Sequence, residues 1–260
     1  MRCLLAVHGS DRGRTQDTID SLLPLFNGVA CDIVVAAPEQ WDMGVLTVGR
    51  YSGELAPDRY GFRLMALAHS CWSANRTYDV VVFTDDRCLA ISAQSLHFAL
   101  QSWFEKGKLG VVGVADEYPR YQLLEKYAPL LARWGLPYAG WKPKQSPLLG
   151  GFLLFGRDYI QKLFDKGLLP PSGWQAWPTT FGDYVTITAS ALKDEIFPIG
   201  SSARPRLPLF VAGEDVEGRR LVPPNVLRPE FMIFHPLDAV YGISPQELRT
   251  AYKDRREGRG

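Results

Sequence analysis

The chain has 260 residues, of which 46% are hydrophobic and 22% charged, enough apolar material for one large domain or two small ones. Its 29 basic and 28 acidic residues give a net charge of +1, so the composition does not suggest nucleic acid as a partner. No stretch approaches the length of a membrane span, and the apolar run after Arg2 is too short for a signal-peptide core. We therefore expect a soluble, cytoplasmic protein without a transmembrane segment.

The first half of the chain alternates short apolar runs with helix-period segments. The predicted strands are 3–7, 32–37, 79–84 and 109–115. Between the first two, Ile19, Leu22 and Phe26 recur at offsets of three and four, which places an apolar stripe on one face of a helix. This alternation is typical of strand-helix units around a parallel sheet. We predict an α/β fold with a mostly parallel central sheet flanked by helices.

The second half loses the regular alternation and becomes rich in proline and glycine after residue 116. The elements predicted there are a strand FLLF within 140–164, a helix over 181–196 and a last strand over 231–234. The charged ending, 251–260, is predicted to be a disordered tail. We interpret the chain as one continuous domain in two parts, 1–116 and 117–250.

The predicted strand 79–84 runs directly into two carboxylates, Asp85 and Asp86, with Arg87 behind them. In an open α/β sheet, ligands bind outside the carboxyl ends of the strands. A buried, unpaired carboxylate is costly, so this pair should be solvated, hydrogen-bonded or bound to a cation. Mg²⁺ or Mn²⁺ would join such oxygen ligands to a substrate phosphate. Equally, one aspartate would cap a following helix while Arg87 pairs locally.

The stretch YDVVVFTDD (78–86) resembles the strand end of the nucleotide-sugar-dependent glycosyltransferases of the GT-A fold, including fringe-like and related enzymes. In those families the apolar strand ends in an Asp-x-Asp motif. Arg87 stands where a third aspartate would be, or, in another register, Thr84 stands where the first would be. This chain therefore departs from the family pattern at one or two metal ligands.

Later segments follow in the family's order. SPLLGGFLLFGRDYIQKL (146–163) resembles its glycine-containing strand and helix, in which Gly150 and Gly151 would let the backbone approach the donor sugar. FMIFHPLD (231–238) resembles the late strand whose His-Pro supplies a metal-coordinating histidine, which His235 matches. A bulge or a core histidine explains each of these segments alone, and their order is what favours the family.

Between them, TFGDYVTITASAL (180–192) resembles the segment in which the family places an acidic residue at a helix start. Asp183 matches that acidic position, whereas Gly182 does not match its neighbour. A lone aspartate at this place is more often an N-cap. By resemblance, Asp183 is the candidate general base, which implies inversion at the anomeric carbon. If Asp183 is only a cap or orients the acceptor, retention stays open.

The resemblance implies transfer of a sugar from a nucleoside diphosphate, with UDP expected, to a hydroxyl of a glycan or other acceptor. A divalent cation, Mn²⁺ or Mg²⁺, held by Asp85, Asp86 and His235, would neutralise the leaving diphosphate. No hydroxyl acceptor or donor sugar is specified by the sequence, because acceptor specificity lies in loops.

Further residues are candidates for the nucleotide site. His8 and Gly9 follow the first strand and would contact the base and ribose, and Glu39 follows the second strand and would accept their hydrogen bonds. Solvent exposure explains Glu39 equally well. Arg63, on the helix before the carboxylates, would reach the diphosphate, although a surface salt bridge is the commoner fate of such an arginine.

Two other functions are kept as alternatives. A nucleotidyltransferase also uses carboxylate-bound Mg²⁺ on an α/β sheet, but HGSDRGRTQ (8–16) matches no phosphate-binding fingerprint. A catalytically inactive, carbohydrate-binding relative would have kept the fold and lost the third carboxylate.

Overall fold

The structure is a computed structural model that describes residues 1–37, 41–44, 46–47, 60–75, 78–86, 88–90, 111–115, 148–165, 196–201, 233–234 and 245–258. The strands are β1 (Arg2–His8), β2 (Ala30–Ala36), β3 (Leu46–Thr47), β4 (Val80–Asp85), β5 (Leu89–Ala90), β6 (Val111–Ala115), β7 (Leu148–Gly156), β8 (Ile196–Ser201) and β9 (Ile233–Phe234). The helices are α1 (Arg12–Leu22), α2 (Tyr60–Asn75), α3 (Arg157–Asp165) and α4 (Pro245–Arg256), with a 3₁₀ turn over Leu23–Phe26. None of the helices within these ranges combines the length and apolar character needed to cross a membrane.

Seven of the strands form one sheet in the order β3, β2, β1, β4, β7, β6, β8. The pairs β1 with β2, β1 with β4, β2 with β3 and β6 with β8 are parallel. β7 is antiparallel to both of its neighbours, β4 and β6. The predicted fold class, a mostly parallel central sheet flanked by helices, is therefore confirmed.

The central strands are apolar on both faces because helices cover both faces. β4 is buried along its whole length. One face packs against α1 through side chains such as Ile19, which is 1% exposed. On the other face, Phe83 meets Phe155 edge to face at a centroid distance of 5.1 Å, and Trp72 of α2 meets Phe164 of α3 at 5.9 Å. A continuous apolar run is typical of strands buried in this way.

The predicted strands agree closely with the long strands of the sheet. Those at 3–7, 32–37, 79–84 and 109–115 are β1, β2, β4 and β6, and FLLF is the centre of β7. The two-residue strands β3 and β5 were not predicted. The predicted last strand is the short β9, which pairs with β5 in a second, two-stranded sheet. Ile196, placed at the end of a predicted helix, begins strand β8, and the rest of that helix lies outside the described residues. The division into two parts stays a prediction.

The end of the chain differs from its prediction. Residues 251–256 belong to helix α4, so the disordered tail expected from residue 251 is wrong as far as Arg256. The physical reason is that the charged side chains are paired. The Lys253 ammonium lies 3.0 Å from the Asp17 carboxylate of α1, and Arg249 is buried against the same helix.

Candidate functional site

The predicted carboxylates lie where β1, β2 and β4 end, which we call the carboxyl edge of the sheet. The parallel register pairs His8, the last residue of β1, with Asp85, the last residue of β4. The N–H of Asp86 continues this ladder and donates to the His8 carbonyl at 2.9 Å, while the N–H of Gly9 donates to the Ala36 carbonyl at 2.9 Å. The structure therefore brings together four of the predicted site residues, two from each of two strand ends.

Asp86 closes the turn that follows β1. Its Oδ2 atom accepts hydrogen bonds from the N–H of Ser10 at 2.8 Å, from the Ser10 hydroxyl at 2.8 Å and from the N–H of Asp11 at 3.0 Å. The Arg14 guanidinium lies 3.7 Å from the same oxygen. Asp86 is 3% exposed and Asp85 is 1% exposed. Charge-assisted hydrogen bonds thus stabilise Asp86 as a buried carboxylate.

The same turn begins helix α1. Asp11 is the N-cap residue, with an extended backbone, and its Oδ1 accepts a hydrogen bond from the N–H of Arg14 at 2.8 Å. The Thr15 hydroxyl donates to the Asp11 carbonyl at 2.7 Å. Around the start of α1, the N–H groups of Ser10 and Asp11 bind Asp86 and that of Arg14 binds Asp11, so three amides of this turn are bound to the protein's own carboxylates.

Gly9 is required by the packing around this turn. A Cβ atom at this position would lie 2.4 Å from the Thr15 Oγ1 atom and 2.6 Å from the ring of Trp41. Any side chain here would therefore push α1 or Trp41 away from the end of β1. The contact of Gly9 with a nucleotide stays a prediction.

Strand β7 brings the predicted glycine pair to the carboxyl edge. The antiparallel register between β4 and β7 pairs Thr84 with Phe152. Gly150 and Gly151 immediately precede Phe152 in β7. Because the strands are antiparallel, these two glycines lie on the same side of the Thr84–Phe152 pair as Asp85. Two segments of the resemblance are thus neighbours in the sheet.

The other predicted site residues are less fully described. Arg63 lies in the first turn of α2, and its side chain is outside the described residues. Glu39, Asp183 and His235 also lie outside them. Phe234, the residue before His235, is described, and it pairs with Leu89 in the antiparallel ladder of β5 and β9.

Arg249 of α4 is a residue of the site that the sequence did not reveal. It is 2% exposed, and its Nη2 atom donates to the Thr18 hydroxyl at 2.8 Å and to the main-chain carbonyl of Asp86. Its Nη1 atom lies 3.5 Å from the Asp17 carboxylate. Burial lowers the pKa of Arg249, and the charges of Asp17 and Asp86 oppose that shift. No local signal marks this contact, since Arg249 and Asp86 are 163 residues apart.

Polar groups of α1 also fix the chain after Asp86. The Thr18 hydroxyl donates to the Cys88 carbonyl at 2.8 Å, and the Ser21 hydroxyl accepts from the N–H of Ala90 at 3.0 Å. Burial raises the pKa of the Cys88 thiol to about 12, so the thiol is neutral here. Two buried hydroxyls of α1 thus satisfy the backbone of the segment that leads to β5.

A divalent cation would find part of its ligand set in this arrangement. Asp85 and Asp86 offer the oxygen chemistry that Mg²⁺ and Mn²⁺ prefer. However, Oδ2 of Asp86 is engaged by the Ser10 turn, and within the described ranges no group of three His, Cys, Asp or Glu side chains could hold a metal ion. The two carboxylates fit a metal site only if a further donor comes from elsewhere in the chain, and His235 is the predicted one.

No model of a protein family matches the chain, and no curated protein matches it. Solved structures of glycosyltransferases are similar at low identity. The galactosyltransferase LgtC, solved in complex with donor and acceptor sugar analogs, is 10% identical, with 98% of this chain and 100% of that chain covered and a TM-score of 0.50.

A glycosyltransferase involved in the glycosylation of the major capsid of PBCV-1 is 11% identical, with 96% of this chain and 98% of that chain covered and a TM-score of 0.48. Glucosyl-3-phosphoglycerate synthase from Mycobacterium tuberculosis, in complex with Mn²⁺, UDP and phosphoglyceric acid, is 16% identical, with 98% and 78% covered and a TM-score of 0.44. The likeness to LgtC establishes the GT-A type of α/β fold, and the two weaker likenesses add no argument to it.

Proposed function

We propose that the chain is a glycosyltransferase that moves a sugar from a nucleoside-diphosphate donor, with UDP expected, to a hydroxyl acceptor. The observation that carries this proposal is the pairing of the strands that contain the predicted site segments. Strand β4, which ends in the carboxylates, pairs with β7, which contains the glycine pair, and the residue before His235 pairs with Leu89, three residues after Asp86. These are segments whose order resembles the family. A fold alone would not support the activity, since one fold hosts many functions.

The β5 and β9 ladder supports His235 as a metal ligand. In this antiparallel pair Phe234, the residue before His235, lies opposite Leu89. Asp86 precedes Leu89 by only three residues. Consecutive Cα atoms are about 3.8 Å apart, so the Cα atom of His235 is one such step from a residue that pairs three positions after Asp86.

The residues of this chain divide the chemistry as follows. A Mn²⁺ or Mg²⁺ ion held by Asp85, Asp86 and His235 would supply a Lewis acid for the leaving diphosphate. Gly150 and Gly151 leave room for the donor sugar beside the backbone. Asp183 accepts the proton of the attacking hydroxyl, and a base opposite the leaving group gives inversion.

The nucleotide lies across the ends of β1 and β2 in this proposal. His8 and Gly9 face the base and ribose from β1, and Glu39 contacts them after β2. Arg63 is in the first turn of α2, and that helix leads into β4, which starts at the opposite edge of the sheet. The start of α2 is therefore its end nearer the carboxyl edge, which supports a role for Arg63 at the diphosphate.

The occupied amides disfavour the nucleotidyltransferase. Such an enzyme needs backbone donors after its first strand to cradle phosphates. Here the amides of Ser10 and Asp11 bind Asp86, and the amide of Arg14 binds Asp11. The likeness to LgtC, which was solved with donor and acceptor sugar analogs, also favours a transferase, whereas the comparisons lend no support to the fringe-like subgroup.

A thermal-shift screen of nucleotide sugars, with Mn²⁺, with Mg²⁺ and with EDTA, tests the proposal. We expect UDP and one UDP-sugar to raise the Tm in the presence of Mn²⁺, because a ligand at 100 times its Kd stabilises the native state by about 2.7 kcal/mol. Slow release of UDP from that sugar should accompany binding. Binding without any turnover would identify the inactive relative, and a shift with a nucleoside triphosphate alone would favour the nucleotidyltransferase.

The role of Asp183 is tested separately. Asp183→Asn should abolish turnover and leave the UDP-induced shift of the Tm nearly intact, because a general base acts on the acceptor rather than on the nucleotide. Loss of both properties would count against Asp183 as the base.

A further inference from the structure

Arg249 occupies a position that fold stability alone explains poorly. Its guanidinium is almost completely buried, and its Nε and Nη1 atoms have no hydrogen-bond partner among the described residues, although Nη1 lies 3.5 Å from Asp17. Burying a charged group with incomplete hydrogen bonding is costly. An apolar side chain of similar volume on α4 would pack against α1 without that cost.

The hydrogen bonds of the Arg249 Nη2 atom lead to the chain around Asp86. Its Nη2 atom bridges the Asp86 carbonyl and the Thr18 hydroxyl. The Thr18 hydroxyl in turn donates to the Cys88 carbonyl at 2.8 Å. One arginine and one threonine therefore hold two carbonyls on either side of residue 87, in the segment that directly follows β4.

The same segment carries a concentration of negative charge. Asp85 and Asp86 are adjacent and both nearly inaccessible to water. The Arg14 side chain lies near the Asp86 carboxylate at 3.7 Å, and Arg249 approaches from the main-chain side. In a region of low dielectric, such cations reduce the repulsion between the two carboxylates and fix their positions.

We propose that Arg249 is a positioning residue through which the C-terminal helix α4 fixes the segment 86–88, and with it the Asp86 carboxylate, in the geometry that the nucleotide site uses. Arg249 acts through Thr18 and the Asp86 carbonyl and touches no substrate. The identity of the ligand rests on the proposed function, whereas the positioning itself does not.

The experiment compares Arg249→Met and Arg249→Lys with the control Lys253→Met. Lys253 lies on the same helix, is half exposed and forms an ion pair with Asp17, a contact that does not involve Asp86. Two readouts are needed. The first is amide hydrogen exchange of the protein without ligand, at Ser10, Asp11 and Asp86. The second is kcat and KM for hydrolysis of the UDP-sugar found by the screen.

For Arg249→Met we expect exchange at these three amides to accelerate about 10-fold while the amides of β2 keep their protection. We expect kcat to fall about 10-fold with little change in KM, because a displaced carboxylate weakens stabilisation of the transition state more than binding. Arg249→Lys should give intermediate values, since one ammonium reaches fewer acceptors than the guanidinium fork. Lys253→Met should match the wild type in both readouts.

Unchanged exchange at Ser10, Asp11 and Asp86 in a folded Arg249→Met protein would overturn the inference. If that variant does not fold, Arg249→Lys decides, and wild-type exchange and kcat in it would overturn the inference equally. If the wild type neither binds nor hydrolyses any nucleotide sugar, the proposed function fails, and the exchange readout alone then judges the role of Arg249.

Discussion

Aspartates lie at both ends of the central strands, but they are partly exposed at one end and buried at the other. At the amino edge, where β1 and β4 begin, the Asp32 carboxylate accepts from the Tyr78 hydroxyl and from Arg2, both at 2.7 Å. Asp79 pairs with Arg157 and accepts from the N–H of Arg2 at 2.8 Å. Every carboxylate in this group has a side-chain cation beside it.

The difference between the edges is exposure. The side chains of Asp32 and Asp79 are 39% and 33% exposed, whereas Asp85 and Asp86 are almost inaccessible. Exposed ion pairs are screened by water and stabilise little. Buried, adjacent carboxylates are expensive, and such groups concentrate at functional sites. The comparison teaches that burial at a strand end, rather than the number of acidic residues, distinguishes the predicted site from the amino edge.

The largest effect that tests this comparison is on turnover. Asp86→Asn keeps an oxygen that can accept from the Ser10 and Asp11 amides, but it removes the charge. We expect turnover to fall about 100-fold, the order seen when a group that stabilises developing charge is lost. The matched variant at the amino edge, Asp79→Asn, should stay within about 2-fold of the wild type, since it changes only the partly exposed contacts of Asp79 with Arg157 and with the N–H of Arg2. Initial rates of UDP release measure both, and equal losses would break the distinction between the edges.

The next effect is on stability at the carboxyl edge. Gly9→Ala should lower the free energy of unfolding by about 1–3 kcal/mol, because the new methyl group overlaps Thr15 and Trp41. Gly13→Ala, in the first turn of α1, is the control. Its nearest neighbour would be an Asp11 oxygen at 3.4 Å, so helix propensity should leave it unchanged or raise stability by up to about 1 kcal/mol. Urea titrations of both variants check the opposite signs.

The amino edge should govern the pH dependence of stability. The hydrogen bond from Tyr78, and after it the interaction with Arg2, holds the pKa of Asp32 below its usual 3.8. The contribution of Asp32 to the free energy of unfolding is therefore present above pH 3.8 and is lost as the pH falls through the lowered pKa. Burial, and after it the hydrogen bond to Asp32, raises the pKa of Tyr78 above its usual 10.0. The contribution of Tyr78 to the free energy of unfolding is therefore complete below pH 10.0 and is lost as the pH rises further.

Tyr78→Phe removes the titrating phenol and the main support of the Asp32 shift. The stability difference between wild type and variant should therefore be largest between about pH 5 and pH 9 and shrink on both sides. Urea unfolding over this range measures it. A difference that stays constant into alkaline solution would show that the phenol is not coupled to folding.

The smallest effect is expected for Arg157→Ala. The Arg157 side chain is 45% exposed, so loss of its pair with Asp79 should cost less than about 1 kcal/mol and even less at high salt. A larger, salt-independent loss in urea titrations would mean that the amino edge is more strongly coupled to the core than its exposure indicates.

Sequence patterns predicted what depends on neighbouring residues and missed what depends on distant ones. Apolar runs marked β1, β2, β4 and β7 because buried strands need them. Strands of two residues, such as β5, have no room for a pattern. The carboxylate pair at the end of β4 was visible, but its acceptance of hydrogen bonds from Ser10 joins residues 76 apart, which no local rule connects.

Helix α4 shows both the available signal and its limit. The sequence SPQE at 244–247 has the serine and glutamate of a capping box, with proline at the first helical position, and this pattern outweighs the charged composition that suggested a tail. It predicts a helix. That the helix would bury Arg249 against α1 depends on tertiary packing, which the pattern does not encode.

The hydrogen bond between Thr18 of α1 and Arg249 of α4 joins residues that are 231 positions apart in the sequence. During synthesis on a ribosome, β1, α1 and β4 emerge long before Arg249 does. The nascent chain must therefore bury Asp85 and Asp86 without the positive charge of that arginine. Contacts of such long sequence separation slow folding and leave intermediates exposed. A ribosome-stalled chain that ends before Pro245 should therefore carry a loosely formed turn at Ser10 and Asp11, and the synthesis and docking of α4 should be the event that tightens it.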